Sequence, residues 1–138
     1  MFGRVTYEMM ASYWPTPLAA QNSPEVAEAM NRLPKIVVSR TLQRATWSNT
    51  QLIKGDLVAE VAKLKALPGP PMVILGSGNI VAQLAAAGLV DEFQFVINPI
   101  VLGQGKTPFA GLERKIDLVL TSSRAFANGN VYVCYRPG

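Results

Sequence analysis

The chain has 138 residues, a hydrophobic fraction of 49% and a formal net charge of +4, which suits one packed domain and excludes an intrinsically disordered protein. It has no histidine and a single cysteine, Cys134, which excludes a Ser-His-Asp triad, an internal disulfide and a histidine- or cysteine-rich metal centre. We expect no metal, and we expect Cys134 to be a packed thiol in a reducing compartment.

Helix and strand signals alternate through the first half of the chain. Ser23-Pro24-Glu25 has a hydroxyl cap followed by proline at the first helical position, which is typical of a helix start. The apolar face of that helix would hold Val26, Met30 and Leu33. In chain order, the pattern predicts a helix from Gly3 to about Tyr13, a helix from Ser23 to Pro34, a buried strand at Ile36–Ser39 and a short strand at Leu52-Ile53.

The middle of the chain continues the alternation. Asp56 is expected to cap a helix, and the apolar run Met72–Leu75 is typical of a buried parallel strand. Gly76-Ser77-Gly78 follows this run, and Asn79 is predicted to cap the next helix. Gly88 is the expected end of that helix, because glycine favours the left-handed conformation at a helix C-terminus.

The last third predicts an antiparallel ending. Strands are expected at Phe93–Ile97 and Asp117–Thr121, and Asn128-Gly129 is a strong hairpin signal before the alternating run Val131–Tyr135. Helix–strand units followed by a hairpin predict an α/β fold with a mixed, mainly parallel sheet flanked by helices.

Three short segments have the chemistry of phosphate binding. Gly76-Ser77-Gly78 precedes a helix, where unpaired backbone N–H groups and the helix dipole favour an anion; a tight turn needing glycine only for its dihedrals is the alternative. Gly3-Arg4-Val5-Thr6 also begins a helix, and Arg4 suits a bidentate phosphate contact, although an ordinary helix start with a surface arginine also explains it. Ser39-Arg40 ends a strand and suits a 2′-phosphate, or is simply a solvated strand end.

Other functions have less support in the sequence. The basic residues are scattered and not interleaved with aromatic residues, so we do not expect nucleic-acid binding. No apolar run of about 18 residues occurs, and no basic-then-apolar leader precedes Gly3, so we expect a cytoplasmic protein without a membrane partner.

The same segments resemble the cofactor segments of the dihydrofolate reductase superfamily. Gly88-Leu89-Val90-Asp91-Glu92 and Pro99–Gly105 are similar to the C-terminal reductase domain of the riboflavin-biosynthesis deaminase/reductase. The resemblance covers nearly the whole chain. It implies a dihydrofolate-reductase-like fold and an NADPH cofactor. It also implies hydride transfer to a small heterocyclic substrate, as in 5-amino-6-(5-phosphoribosylamino)uracil reductase or dihydrofolate reductase. We also expect the protein to form a homodimer.

The resemblance also assigns roles to residues, with the catalytic residues left unknown. The glycine-rich turn would hold the pyrophosphate, the Gly-Arg-x-Thr helix start its other side, and the Ser-Arg strand end the 2′-phosphate. The implied cofactor-binding residues are Gly3, Arg4, Thr6, Ser39, Arg40, Gly76, Ser77, Gly78, Asn79 and Ile80.

One departure from the family leaves a second hypothesis open. Members begin with a central strand ending in a Ser-Leu-Asp-Gly-like turn, then a helix and a strand, and these are absent before Gly3. Residues 1–138 are therefore expected to form a single reductase domain that is N-terminally truncated relative to the family. The alternative is a non-catalytic dinucleotide-binding remnant or an oligomeric module.

Overall fold

The computed structural model describes residues 1–138 and contains eleven regular elements. The helices are α1 (Arg4–Tyr13), α2 (Pro17–Asn22), α3 (Pro24–Arg32), α4 (Leu57–Ala66) and α5 (Gly78–Ala86). The strands are β1 (Phe2–Gly3), β2 (Lys35–Val38), β3 (Thr50–Ile53), β4 (Phe93–Ile97), β5 (Leu118–Ala125) and β6 (Val131–Pro137). No helix is long and apolar enough to cross a membrane.

The strands form two separate three-stranded sheets. The first is parallel, in the order β1-β2-β3, with Val37 of β2 between Phe2 and Leu52. The second is antiparallel, in the order β4-β6-β5. The predicted α/β class, with parallel strands first and an antiparallel hairpin last, is confirmed; the strands are divided between two sheets.

Two apolar clusters hold the parallel sheet against its helices. Phe2, Tyr7, Val37 and Trp47 form one cluster, which lies between α1 and the segment that follows β2. The second cluster joins α4 to α5 and consists of Leu57, Val61, Ile80 and Leu84. Both clusters lie in the part of the chain that precedes β4, so the parallel sheet and its helices carry the core.

Lys35 is a buried cation at the start of β2, with 6% of its surface exposed. Its ammonium group donates to the carbonyl oxygens of Met30, Asn31 and Leu33 at 2.8, 3.2 and 2.9 Å. It also lies 4.5 Å from the centroid of the Trp47 ring. The side chain therefore caps the C-terminus of α3, where the helix dipole favours a cation, while burial lowers the pKa of Lys35.

The local signals for chain reversal are confirmed. Gly129 has φ of +86° and its N–H donates to the carbonyl of Phe126 at 2.9 Å, which closes the turn between β5 and β6. Gly88 has φ of +69°, and Leu89 N–H donates to the carbonyl of Leu84 at 2.9 Å, as in a Schellman ending of α5. Cys134 is buried, as expected.

Three expectations about individual residues are wrong. Met72–Leu75 is not a buried strand: the backbone of Leu75 donates to the carbonyl of Met1, but the Leu75 side chain is 51% exposed because only one edge of the segment has a neighbour. Val26 and Leu33 are both 48% exposed, and the buried residue of α3 is Ala27.

The start of α5 also differs from the prediction. Its N-cap is Ser77, and Asn79 is the second residue of the helix. The helix therefore begins earlier than the prediction of Asn79 as its cap implied, and Gly78 is its first residue.

Candidate functional site

A cavity of about 340 Å³ lies where the carboxyl ends of β1 and β2 meet the N-termini of α1 and α5. The start of α4 closes another side. The lining residues are Gly3, Arg4, Val38, Ser39, Arg40, Gly55, Leu57, Ser77, Asn79, Ile80 and Gln83. This is the edge of a parallel sheet at which ligands bind in open α/β proteins.

Two of the three helices that begin at the cavity, α1 and α5, differ from the other helices in how they start. Neither α1 nor α5 has a side-chain cap or an acidic residue in its first turn. By contrast, α2 is capped by Thr16, α3 has Glu25 in its first turn, and α4 is capped by Asp56. The first-turn N–H groups of α1 and α5 therefore have no side-chain partner, and the positive ends of both helix dipoles meet at one place.

The turn at residues 76–78 packs directly against the start of α1. The Gly3 N–H donates to the carbonyl of Gly76 at 3.1 Å, which joins the two turns. Gly76 has φ of +125°, and the peptide bond between Gly76 and Ser77 is cis. A Cβ on Gly76 would lie 3.0 Å from Oγ1 of Thr6, and a Cβ on Gly3 would lie 2.8 Å from Oγ of Ser77. The positive φ requires glycine at Gly76, whereas a side chain at Gly3 would displace the Ser77 hydroxyl.

Ser39 and Arg40 form the wall at the end of β2. The Ser39 hydroxyl oxygen accepts from the backbone N–H groups of Thr41 and Leu42 at 3.2 and 2.9 Å, so it shapes the turn after the strand. Its proton can be donated to Oγ1 of Thr41, 3.4 Å away, or to an acceptor in the cavity. Arg40 is exposed and forms none of the ion pairs in the structure.

Arg4 is the second cation of the cavity and is already paired. Its Nη1 atom lies 3.0 Å from Oε2 of Glu8, one turn along α1, and the two side chains are 45% and 49% exposed. Since Arg4 and Arg40 are the only charged residues that line the cavity, its field favours an anion.

Ten residues were predicted from the sequence to bind the cofactor. Seven of them line the cavity: Gly3, Arg4, Ser39, Arg40, Ser77, Asn79 and Ile80. The other three lie behind that lining. Thr6 and Gly76 pack on each other. A Cβ on Gly78 would lie 3.1 Å from the backbone of Pro108.

Four residues of the lining were not predicted from the sequence: Val38 at the end of β2, Gly55 in the loop before α4, Leu57 at the start of α4 and Gln83 on α5. Gln83 donates to Oδ1 of Asn79 at 2.5 Å, and Gly55 and Leu57 flank the Asp56 cap. The spacing of four between Asn79 and Gln83 on one helix was the available signal. The Asp56 side chain itself accepts from the backbone of Ala59, so it acts on α4.

The cavity has binding groups and no proton-transfer group. It contains no acidic side chain and no thiol, and the chain has no imidazole. Backbone amides, two hydroxyls, two guanidinium groups and two amide side chains suit the recognition of a polyanion. Redox chemistry at this place requires a bound cofactor.

Comparison with known proteins identifies relatives of this arrangement. A family model described as the RibD C-terminal domain matches residues 1–132. The chain is 30% identical over 135 residues to YyaP of Bacillus subtilis (strain 168), an uncharacterized protein, with 98% of this chain and 71% of YyaP covered.

Two solved structures share the fold. The first is a candidate riboflavin biosynthesis protein from Shewanella sp. PV-4, with a TM-score of 0.75, 24% identity and coverage of 99% of this chain and 72% of that one. The second is a pyrimidine reductase-like protein from Corynebacterium diphtheriae, with a TM-score of 0.57, 17% identity and coverage of 75% of this chain and 50% of that one. At these identities the two structures support the fold.

Proposed function

This chain belongs to the RibD C-terminal domain family, and on that premise we propose that it is an NADPH-dependent reductase of a small heterocyclic substrate. The family is riboflavin-pathway reductase-like. NADPH, the heterocyclic substrate and the individual binding residues are the parts that we propose for this chain.

The meeting of two uncapped helix starts in one cavity carries the proposal. Each start offers backbone N–H donors and a positive dipole end, and the Gly3–Gly76 hydrogen bond holds the two starts together. A diphosphate has enough oxygen atoms to accept hydrogen bonds from the N–H groups of both helix starts. A single anionic group would leave one helix start without a partner, so the pairing favours the diphosphate of a dinucleotide.

The donor set fits that group. Ser77 and the first turn of α5 would hold one phosphate, and Arg4 and the first turn of α1 the other. Gly3, whose N–H already donates to Gly76, would let the phosphate approach the backbone closely. Thr6 and Gly76 support these contacts by packing behind the turn. The bound cofactor would supply hydride, and the protein would bind and orient it.

Arg40 would decide between NADPH and NADH. It is exposed, unpaired by any acid and adjacent to Ser39 at the end of β2. A guanidinium beside a hydroxyl is suited to the 2′-phosphate that only NADPH has.

Titration of the purified protein with NADPH and NADH tests the cofactor. We expect tighter binding of NADPH, and Arg40→Ser should weaken it by about tenfold while leaving NADH within about twofold, since a charge-assisted hydrogen bond is lost. Arg44→Ser is the matched control, because Arg44 is exposed on the same segment and does not line the cavity. Equal binding of the two dinucleotides by the wild-type protein would contradict the role of Arg40.

Turnover is tested separately from binding. Reduced nicotinamide absorbance should fall when NADPH and a pyrimidine or pteridine acceptor are added together. Binding without oxidation of NADPH across such acceptors would instead support the non-catalytic dinucleotide-binding module.

The proposed assembly is a homodimer. The antiparallel sheet has apolar side chains open to solvent on both edge strands, with Val119, Leu120 and Ile97 exposed by 57%, 52% and 56%. Exposed apolar residues on edge strands are typical of contact surfaces. Light scattering during size-exclusion chromatography would give the mass of the assembly, and a stable monomer would contradict this part of the proposal.

A further inference from the structure

Arg4 occupies an electrostatically unfavourable place for a purely structural residue. It is the first residue of α1, where the helix dipole is positive and a cation destabilises the helix. No side chain caps this end and no acidic residue lies in the first turn. A guanidinium at such a position is favoured when an anion binds beside it.

Glu8 already holds that guanidinium in the structure described here. The Nη1–Oε2 distance of 3.0 Å is that of a good charge-assisted hydrogen bond. Since Glu8 lies four residues further along α1, this contact draws the arginine along the side of the helix and away from its N-terminal tip. The tip is where the first-turn N–H groups point.

Glu8 itself lies outside the cavity lining, although its partner Arg4 is part of it. A carboxylate and a bound phosphate would compete for the same guanidinium. The fraction of molecules with Arg4 free therefore limits the apparent affinity for the anion.

We propose that Glu8 is an internal competitor for Arg4, which releases the guanidinium only to a ligand with enough negative charge to displace a carboxylate. This inference rests on the proposed function, because it concerns the same phosphate site. It assigns to Glu8 the control of affinity and of discrimination between anions of different charge. Glu8 acts through Arg4 and is a positioning residue.

The test is the affinity of the Glu8→Gln variant for NADPH and for inorganic pyrophosphate. An exposed ion pair is worth little, so we expect both dissociation constants to fall by about two- to fivefold. The gain should shrink in high salt, because screening weakens the Arg4–Glu8 pair in the wild-type protein. A role of Glu8 in helix stability alone would produce no such salt-dependent gain.

Two controls isolate the contact. Glu28→Gln changes the net charge equally on an exposed position of α3 and should leave both affinities unchanged. In an Arg4→Gln background, Glu8→Gln should give no gain, because the group for which it competes is absent. Thermal unfolding of each variant without ligand should stay close to the wild type, since both side chains of the pair are half exposed.

The outcomes separate this inference from the proposed function. Binding of NADPH by the wild type with no gain in Glu8→Gln, or with a gain that persists in the Arg4→Gln background, overturns the role of Glu8 alone. Pyrophosphate binding that tightens in Glu8→Gln without any NADPH binding supports Glu8 and overturns the dinucleotide proposal. Failure of every variant to bind either anion overturns both.

Discussion

Replacing Tyr7 by phenylalanine should destabilise the protein by removing one oxygen atom. The Tyr7 hydroxyl oxygen accepts from the backbone N–H groups of Thr46 and Trp47, at 3.1 and 3.0 Å. These contacts fix the segment before β3 against α1, across about forty residues of chain. Tyr7 is 3% exposed and Trp47 is 5% exposed, so water has little access to the second donor.

The magnitude follows from which donor loses its partner. Thr46 is exposed, and its N–H is free to turn to water, whereas the N–H of Trp47 would remain buried without an acceptor. Leaving one buried donor unsatisfied costs about 1–3 kcal/mol. With an unfolding entropy of about 2.1 cal/mol/K per residue, this corresponds to a fall in Tm of about 3–10 °C for a chain of this length.

Tyr13→Phe is the matched control, because it removes the same atom from the same helix. The Tyr13 hydroxyl accepts only from Nδ2 of Asn22, at 3.4 Å on the surface, so we expect a change within about 0.5 kcal/mol. Urea unfolding followed by far-ultraviolet circular dichroism measures both variants without relying on the neighbouring tryptophan. Equal stabilities of the two variants would refute the assignment of Tyr7 as the acceptor that satisfies the Trp47 backbone.

Three further perturbations test other parts of the fold. Asp56→Ala removes the cap on Ala59 N–H, 2.9 Å away, and should cost about 1 kcal/mol in urea unfolding; an unchanged midpoint would contradict the cap. Burial lowers the pKa of Lys35 in the folded protein. Between that lowered pKa and the ordinary value of about 10.4, the unfolded chain binds more protons than the folded protein, so the unfolding free energy rises with pH. Lys35→Met should flatten that rise. An identical slope of unfolding free energy against pH in the variant and the wild type would contradict the lowered pKa of Lys35. Gly76→Ala places a Cβ 3.0 Å from Oγ1 of Thr6 at φ of +125° and should lower the unfolding free energy by about 1–3 kcal/mol. Adding Thr6→Ala should restore the part due to the clash with Thr6 and leave the part due to backbone strain.

Features governed by local backbone chemistry could be read from the sequence. Gly88 and Gly129 both adopt positive φ at the predicted helix end and hairpin turn, because few residues tolerate that conformation. The start of α3 follows the proline after Ser23 as predicted, although the Ser23 side chain makes no capping hydrogen bond. The helix start was therefore set by the proline, whose φ suits a first helical residue.

Exposure of apolar residues could not be read in this way. An apolar run predicts burial only if a neighbour covers it, and the run ending in Leu75 has a neighbour on the β1 side alone. On α3, Ala27 is buried while the larger Val26 is exposed, and Leu33, which follows the helix, is exposed as well. Hydrophobic patterning carries no information about which surfaces are available to pair.

Although it predicted neither β1 nor α2, the sequence by itself determined most of the helices and strands, the positions of the chain reversals and the glycine-containing turns at the starts of α1 and α5. These depend on interactions within a few residues, which the local composition specifies. Only the tertiary structure decided that the two turns meet through Gly3 and Gly76, that Gln83 joins the cavity wall, and that Glu8 holds Arg4. The first two depend on how parallel strands bring distant segments to one edge of a sheet, and the last on the side-chain conformation chosen there.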